Sequence, residues 1–352
     1  MRLRDLGITP GRLLPGPYNA ITDVAGVRVG HSTLNSGTDI RTGVTAIIPH
    51  EGDVFREKVA AGVHTINGFG KATGFEQIRT RGTIETPILL TNTLNVGSVS
   101  DALVSYMLRE HSEIGLTSGT VNPVVGECND GFLNDIRGRH VHEQHVWQAI
   151  EGAAEGHVRE GCAGAGTGTA CFQFKGGIGT ASRRTADQRF TVGVLVQTNF
   201  GARAEMMFYG IPLGQHLLNE ALPQPGPGSI MIVVATDAPL DARQLTRLAM
   251  RAPLALGRTG TVSQDGSGDF AIAFSTANRW LHTPSEAVEP VTRFSEQSAT
   301  MNALFLATVE SIEEAIWNSV IAAETTQGRD GNTLHALAHS ALLHWYRHHR
   351  HL

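Results

Sequence analysis

Short apolar runs recur along the chain, each bounded by turn residues, and they predict buried β-strands. The runs are rich in Val, Ile and Phe, side chains that pack well on a pleated surface. The predicted strands are Thr45–Ile48, Ile88–Leu90, Phe190–Thr198, Ser229–Ala235 and Asp269–Ser275.

Apolar residues at helical spacing lie between these runs and predict α-helices. One helix is expected after Ser98 or Ser100, either of which can cap its first turn. A second is expected around the apolar stripe from Val146 to Ala153, and a third after Ala238. Helices that alternate with buried strands are typical of an α/β fold in which helices cover a sheet.

The longest helical pattern covers Met301–Ala323 and contains the four residues Ser311-Ile-Glu-Glu314. A serine followed three residues later by a glutamate is a capping box, which marks the start of a helix. The sequence therefore predicts two helices that meet near Ser311.

Composition places the chain among globular proteins without a nucleic-acid partner. Hydrophobic residues make up 41% of the 352 residues and charged residues 17%, too few charges for a disordered chain or a coiled coil. The 28 basic residues are outnumbered by 33 acidic ones, and no basic run is interleaved with aromatic residues. A surface that binds phosphate backbones needs such a run.

The location of the protein is predicted from its N-terminus and its cysteines. Met1–Pro17 is interrupted by charges and prolines, which leaves no apolar region for export, and the chain has no apolar span of about 20 residues. The three cysteines, Cys128, Cys162 and Cys171, fit neither a redox pair nor a closed disulfide framework. We expect a cytoplasmic protein that does not enter membranes.

A proline-rich segment, 222–228, interrupts the chain about two thirds of the way along. Three prolines alternate with small residues directly before the predicted strand that begins at Ser229. Proline fixes φ and favours an extended conformation in the residue before it, so the segment is a stiff loop. It is interpreted either as a domain linker or as a processing site.

Four segments resemble cofactor or metal motifs and fail the spacing that the chemistry requires. Gly68–Thr73 lacks a glycine and a hydroxyl of the phosphate loop, and Gly164–Gly168 has no clear strand before it and no helix after it. His142–His145 is one residue too short for a zinc helix, and the six histidines of the last 18 residues have no nearby acid or cysteine. No cofactor or metal is predicted.

Seven segments, spread in order over nearly the whole chain, match the sequence pattern of one family of enzymes. They are Asp23–His31, Thr86–Asn92, Val124–Gly131, Lys175–Thr180, Val192–Asn199, Gly228–Pro239 and Gly328–Gly331. They resemble the self-processing L-aminopeptidase/D-esterase (DmpA-like) family, relatives of the β-peptidyl aminopeptidases. The resemblance implies an αββα sandwich of the type shared with ornithine acetyltransferases, layered as in N-terminal-nucleophile hydrolases. It also implies that the chain cuts itself before its nucleophile.

The pair Gly228-Ser229 has the chemistry that self-cleavage needs. The Ser229 hydroxyl must attack the Gly228 carbonyl, and a glycine there has no Cβ to obstruct the attack. A single catalytic domain, 1–352, would then be cut into 1–228 and 229–352. The freed α-amine, with an ordinary pKa of about 7.7–8.0, can act as the base for the same residue's hydroxyl. The alternative is an ordinary serine at the start of a buried strand.

The resemblance assigns three more residues to the chemistry. Ser267 and Asp269 match the second serine and the acid of the family, and if the segment is extended they share one face. Ser267 would orient protons around the Ser229 amine, and Asp269 would compensate its charge. Asn199 matches the asparagine that stabilises the oxyanion. Turn-stabilising roles are the alternatives for Asp269 and Asn199.

Two residues are assigned to the substrate. Glu127 matches the acid that receives the substrate's free amino group, although most glutamates are simply exposed surface residues. Asn129 lies at a position of the acyl pocket that is aromatic in some members of the family.

The sequence thus predicts a hydrolase that acts on small amino-acid amides, esters or short peptides with a free amine. No cofactor is required, and the family resemblance implies a homo-oligomer of cleaved pairs. Two alternatives remain. One is an acyltransferase on the same scaffold, in which an amine replaces water, and the other is a non-enzymatic ligand-binding protein that retains the fold.

Overall fold

The computed structural model of the protein describes residues 1–218, 222–226, 228–297 and 299–350. Pro227 of the proline-rich segment and His351 of the histidine-rich tail lie outside the described residues. The strands are β1 (Arg28–Ser36), β2 (Ile40–Ile48), β3 (Glu57–Gly68), β4 (Thr83–Ile84), β5 (Ile88–Asn92), β6 (Val124–Cys128), β7 (Ala170–Cys171), β8 (Phe174–Lys175), β9 (Ile178–Arg184), β10 (Thr191–Asn199), β11 (Ser229–Thr236), β12 (Gly268–Leu281), β13 (Thr326–Gln327) and β14 (Thr333–Leu334). The helices are α1 (Phe75–Arg81), α2 (Val96–Glu110), α3 (Glu143–Glu151), α4 (Ala242–Ala249), α5 (Ala252–Thr259), α6 (Ala299–Ile321) and α7 (His339–Arg350).

Two sheets form the centre of the fold. One has four strands in the order β1-β2-β5-β6, and the other has six in the order β4-β3-β12-β11-β10-β9. Neighbours are antiparallel except for two parallel pairs, β5 with β6 and β11 with β12. Each of the five strands predicted from the sequence overlaps an observed strand.

Hydrophobic side chains fill three layers around these sheets. The middle layer lies between the two sheets and includes Leu90, Met231 and Phe270. Helices α4, α5 and α6 cover the other face of the six-stranded sheet, and α2 and α3 cover that of the four-stranded sheet. The predicted αββα sandwich is confirmed.

The proline-rich segment connects two strands that lie side by side. β10 ends before the segment and β11 begins after it, and the two strands pair antiparallel over their full length. The chain on both sides of residue 228 therefore contributes to one sheet, with Ser229 at the sheet's end.

The prediction of two helices meeting near Ser311 is wrong, because α6 is one continuous helix. The side chains that resembled a capping box have other partners. Ser311 Oγ donates to the Val192 carbonyl at 3.5 Å, and Glu314 accepts from the Arg183 guanidinium at 2.5 Å. Arg183 also reaches Glu310 at 3.2 Å, so the acids of α6 neutralise an arginine that is itself fully buried.

The predicted caps of α2 are also wrong. The helix begins at Val96, so Ser98 and Ser100 lie inside its first turns. The start is organised instead by Asn92, whose side chain accepts the Asn95 backbone N–H at 3.1 Å in the turn before the helix. Ser98 Oγ donates to the Asn95 carbonyl at 3.0 Å, within that turn.

The three cysteines are free thiols, with Cys128 and Cys171 buried and Cys162 partly buried. No helix in the described part of the chain has both the length and the apolar character that crossing a bilayer requires. Within the described ranges, no group of three or more His, Cys, Asp or Glu side chains is placed to hold a metal ion.

His31 on β1 makes the free energy of unfolding depend on pH. Burial, together with the nearby Arg159 charge, lowers the His31 pKa from 6.5 to about 4. The unfolded chain therefore binds more protons between these values, and the stabilisation that is complete above pH 6.5 is lost as the pH falls toward 4. The loss amounts to at most about 3 kcal/mol.

We expect His31→Gln to remove this part of the acid sensitivity, because glutamine does not titrate. The free energy of unfolding should be measured from pH 7.5 to 4 in an uncleaved Ser229→Ala background, so that one polypeptide unfolds. The difference between parent and variant should change steadily below pH 6.5. Parallel curves over the whole range would show that His31 does not contribute.

Candidate active site

Ser229 is the first residue of β11 and lies between the ends of two neighbouring strands. It pairs with Asn199, the last residue of β10, on one side and with Gly268, the first residue of β12, on the other. Only 5% of Ser229 is exposed. The sequence positions that were assigned to the nucleophile and the oxyanion are thus brought directly opposite one another.

One backbone N–H contacts both reacting groups of the proposed cleavage. The Gly268 amide donates to Ser229 Oγ at 3.2 Å and to the Gly228 carbonyl oxygen at 3.3 Å. The hydroxyl therefore lies beside the carbonyl of the residue before it. A donor at that carbonyl also stabilises the negative charge that forms there during attack.

Residue 228 has no room for a side chain. A Cβ at Gly228 would lie 2.3 Å from the Asn199 carbonyl oxygen and 2.5 Å from Phe200 Cα, both of them backbone atoms. Glycine is the residue that permits β10 to pass this close to the peptide bond between residues 228 and 229.

Asn199 is oriented by the β7–β8 hairpin. Its Oδ1 accepts the Ala170 backbone N–H at 2.9 Å, which directs the side-chain amide nitrogen away from Ala170. Asn199 and Gly228 both line a cavity of about 360 Å³, together with Gln173 and Gln264. The cavity can receive a small acyl or amide group next to the nucleophile.

Ser267 and Asp269 form a pair, as their spacing predicts. Ser267 Oγ donates to Asp269 Oδ1 at 2.6 Å, and Asp269 is only 2% exposed. Burial raises the pKa of the Asp269 carboxyl, while hydrogen bonds from Ser267 and Ser263 lower it in part. Ser263, which the sequence analysis missed, lies in the loop after α5 with a left-handed φ of 51°.

This pair faces the opposite side of the sheet from the serine hydroxyl. Side chains alternate along a strand, so Ser229 shares the face of Met231 between the sheets, whereas Asp269 shares the face of Ala271 beneath the helices. The backbone nitrogen of Ser229 lies in the plane between these faces. On its own face Asp269 accepts a hydrogen bond from the backbone N–H of Ile230, the residue after Ser229.

Glu127 is a buried carboxylate near the end of β6. Its Oε1 accepts the Lys71 backbone N–H at 3.1 Å, and its Oε2 accepts the Thr93 hydroxyl. Burial raises the pKa of the Glu127 carboxyl, although these hydrogen bonds and the Lys71 charge lower it in part. A carboxylate already removed from water binds a cation strongly.

The glycine loop at 68–73, which lacks the spacing of a phosphate loop, lies between Glu127 and the start of β12. The Cβ position of Gly70 lies 2.9 Å from Gly268 Cα and 3.3 Å from Glu127 Oε1. Gly70 therefore lies between Glu127 and the first residue of β12, the strand that pairs with β11 at Ser229. The sequence showed the glycines and the lysine of this loop but not their neighbours in space.

Asn129 lies at the surface, one residue beyond the end of β6. It is exposed, and its Oδ1 accepts the Gly131 backbone N–H at 2.8 Å in the following turn. The structure places it two residues after Glu127, in contact with solvent.

Comparison with known proteins agrees with this geometry. The model of peptidase family S58 matches residues 19–334. The chain is 42% identical to β-peptidyl aminopeptidase BapA of Sphingosinicella microcystinivorans, over 97% of this chain and 90% of that protein. It superposes on a Burkholderia sp. β-aminopeptidase (TM-score 0.93, 44% identity) and on the L-aminopeptidase D-Ala-esterase/amidase of Ochrobactrum anthropi (TM-score 0.91, 40% identity), with 99% of each chain covered. The latter is described as a variant of the Ntn-hydrolase fold. By its sequence, its fold and the strand ends that meet at Ser229, the chain belongs to peptidase family S58.

Proposed function

We propose that this peptidase is a self-processed aminopeptidase or amidase whose nucleophile is Ser229. Its substrates are amides, esters or short peptides with a free N-terminal amine. The observation that carries the proposal is the Gly268 N–H, which donates to both Ser229 Oγ and the Gly228 carbonyl. The aminopeptidases among the relatives support peptide or amide substrates.

Maturation in this proposal needs only the residues at the strand ends. The Ser229 oxygen bonds to the Gly228 carbonyl carbon, and the bond from that carbon to the Ser229 nitrogen breaks. The hydroxyl proton passes to that nitrogen, which leaves an ester and a free amine. Water then hydrolyses the ester. The products are 1–228, ending in a carboxylate, and 229–352, beginning with a free amine.

Catalysis then repeats the same attack on a bound substrate. The neutral α-amine takes the proton of the Ser229 hydroxyl as the oxygen attacks the substrate carbonyl, and it later passes that proton to the leaving amine. The Asn199 amide donates to the oxyanion. Water releases the acyl group in the second half of the reaction.

Glu127 and Asp269 supply negative charge at two different places. Glu127 binds the substrate ammonium, and its burial excludes substrates that bring no positive charge. Asp269, held by Ser267, favours the protonated form of the Ser229 amine from the other face of the sheet. Asn129 contributes to the solvent side of the acyl pocket.

We also propose that cleaved pairs assemble into a homo-oligomer in the cytoplasm. Large apolar side chains are exposed in several loops, among them Leu116 at 83% and Val262 at 73%, and oligomer interfaces cover such residues. The three free thiols are compatible with a reducing compartment.

Gly228→Ala should slow self-cleavage at least tenfold, because its methyl group would meet the backbone of Asn199 and Phe200 and displace the scissile carbonyl. The fraction of uncut chain should be followed by intact-mass spectrometry after synthesis. Gly257→Ala is the control, since that position on α5 is open and its φ is not left-handed. Cleavage of both variants at the parent rate would contradict the steric argument.

Glu127→Gln should raise KM for free-amine substrates about tenfold and leave self-cleavage intact, because a neutral amide replaces a charge-assisted hydrogen bond. Initial rates with a free and an N-acetylated p-nitroanilide measure the effect. Glu76→Gln, an exposed acid of the adjoining helix α1, should change neither. Equal hydrolysis of the acetylated and free substrates by the parent enzyme would remove Glu127 from amine binding.

Asp269→Asn should shift the pH range over which kcat/KM rises to lower pH, and it should lower the maximum rate. The Asp269 charge favours the ammonium form of the Ser229 amine, so its removal lowers the amine's pKa and the neutral base is present at lower pH. Profiles should be measured on fully cleaved enzyme. Asp265→Asn, an exposed acid in the loop before β12, is the control. An unmoved limb in Asp269→Asn excludes this electrostatic role.

A further inference from the structure

Lys175 is a buried cation that the proposed chemistry has not yet used. It lies on β8 with no exposed surface. Its ammonium donates to three backbone carbonyls, those of Gly166, Thr169 and Gly176, at 2.9, 3.0 and 2.7 Å. In the part of the chain that the structure describes, no carboxylate oxygen lies within 4.0 Å of it.

Such an arrangement is costly for a residue that only fills space. Burying an ammonium group without a carboxylate partner is unfavourable, and carbonyl dipoles offset the cost only in part. Burial accordingly lowers the Lys175 pKa, while a hydrogen bond with the Cys162 side chain and the charges of Cys162, Asp130 and Cys171 raise it. A buried positive charge is useful where negative charge forms nearby.

The contact of Lys175 with Thr169 leads directly to the proposed oxyanion donor. The Thr169 carbonyl and the Ala170 N–H belong to one peptide group. The Lys175 ammonium donates to the oxygen of this peptide group, and the N–H of the same peptide group donates to Asn199 Oδ1 at 2.9 Å. Two amide groups in series therefore join the ammonium to the side-chain nitrogen of Asn199.

Both orientation and polarity follow from this series. Because Asn199 Oδ1 accepts the Ala170 N–H, the amide nitrogen of Asn199 points the other way, toward the reacting carbonyl. A rotated amide would present an oxygen to the oxyanion and repel it. A cation at the Thr169 oxygen also strengthens the Ala170 N–H as a donor, and that bond in turn strengthens the N–H donors of Asn199.

We propose that Lys175 is a positioning residue for the oxyanion site, acting through the Thr169–Ala170 peptide group on Asn199. The inference rests on the proposed function, in which Asn199 stabilises the oxyanion. Lys175 contacts neither the substrate nor Ser229. Its effect is expected on kcat, because the oxyanion exists in the transition state and not in the bound substrate.

The test is a double-mutant cycle between Lys175→Met and Asn199→Ala, with kinetics on cleaved enzyme and rates per titrated active site. Asn199→Ala alone should lower kcat about 100-fold. Lys175→Met alone should lower kcat about tenfold with KM within twofold. The double variant should have a kcat less than twofold below that of Asn199→Ala alone, because the residue through which Lys175 acts is already absent.

A merely structural lysine gives a different pattern. Its loss would lower kcat by the same factor in both backgrounds, and that multiplicative result overturns the inference. Lys58→Met is the matched control, since Lys58 is also largely buried but pairs with Glu85 at the far end of β3. It should destabilise the protein and leave kcat within twofold in both backgrounds.

Failure of this inference and failure of the proposed function are distinguishable. If Asn199→Ala lowers kcat and Lys175→Met does not, the oxyanion assignment stands and the role of Lys175 is wrong. If Asn199→Ala has no effect, both are wrong. Should Lys175→Met not fold, Lys175→Gln, which keeps two N–H donors, takes its place in the cycle. If neither variant folds, Lys175 is needed for folding, and the inference is overturned.

Discussion

The pairing of β10, β11 and β12 fixes the distances around Ser229. Asn199, Ser229 and Gly268 lie side by side because the three strands meet in one register. A slip of one residue would turn the Ser229 side chain to the opposite face of the sheet and away from Asn199. The apolar side chains of β11, buried between the sheets on one face and beneath the helices on the other, prevent such a slip.

The same register would let one residue serve both reactions of the proposed function. In the intact chain, the Ser229 hydroxyl lies beside the carbonyl of Gly228, since the Gly268 N–H donates to both. If β11 keeps its position after the proposed cleavage, the new amine and the hydroxyl stay beside Asn199 and Gly268. The groups proposed to act on the chain's own carbonyl would then be placed for a substrate carbonyl.

Burial determines the electrostatics of the site. Glu127 and Asp269 are nearly inaccessible to water, and burial raises the pKa of both carboxyls. Each is held by hydroxyl or backbone donors rather than by an arginine or lysine side chain within ion-pair distance, as far as the described residues show. Such carboxylates respond strongly to a cation brought to them. In the proposed function that cation is the substrate's ammonium group for Glu127 and the ammonium form of Ser229 for Asp269.

Local patterns predicted the parts of this structure that depend on neighbours in sequence. The apolar strands follow from periodicity, whereas the Ser267–Asp269 pair and the roles of Gly228 and Ser229 were predicted from the family resemblance. The continuity of α6 did not, because the partner of Glu314 is Arg183, 131 residues away along the chain. The Gly70 loop and Lys175 were equally hidden, since their importance lies in contacts with Glu127 and with the peptide that orients Asn199.

The claim that one residue is both the cleavage point and the nucleophile is tested most directly by rapid-quench mass spectrometry. Purified wild-type enzyme would be mixed with an activated ester of a free-amine amino acid and denatured within milliseconds. The account predicts two polypeptides, of which the 124-residue fragment that begins at Ser229 gains the mass of one acyl group while the 228-residue fragment gains none. An active chain that remains intact at 352 residues, or an acyl group found on 1–228, would contradict it.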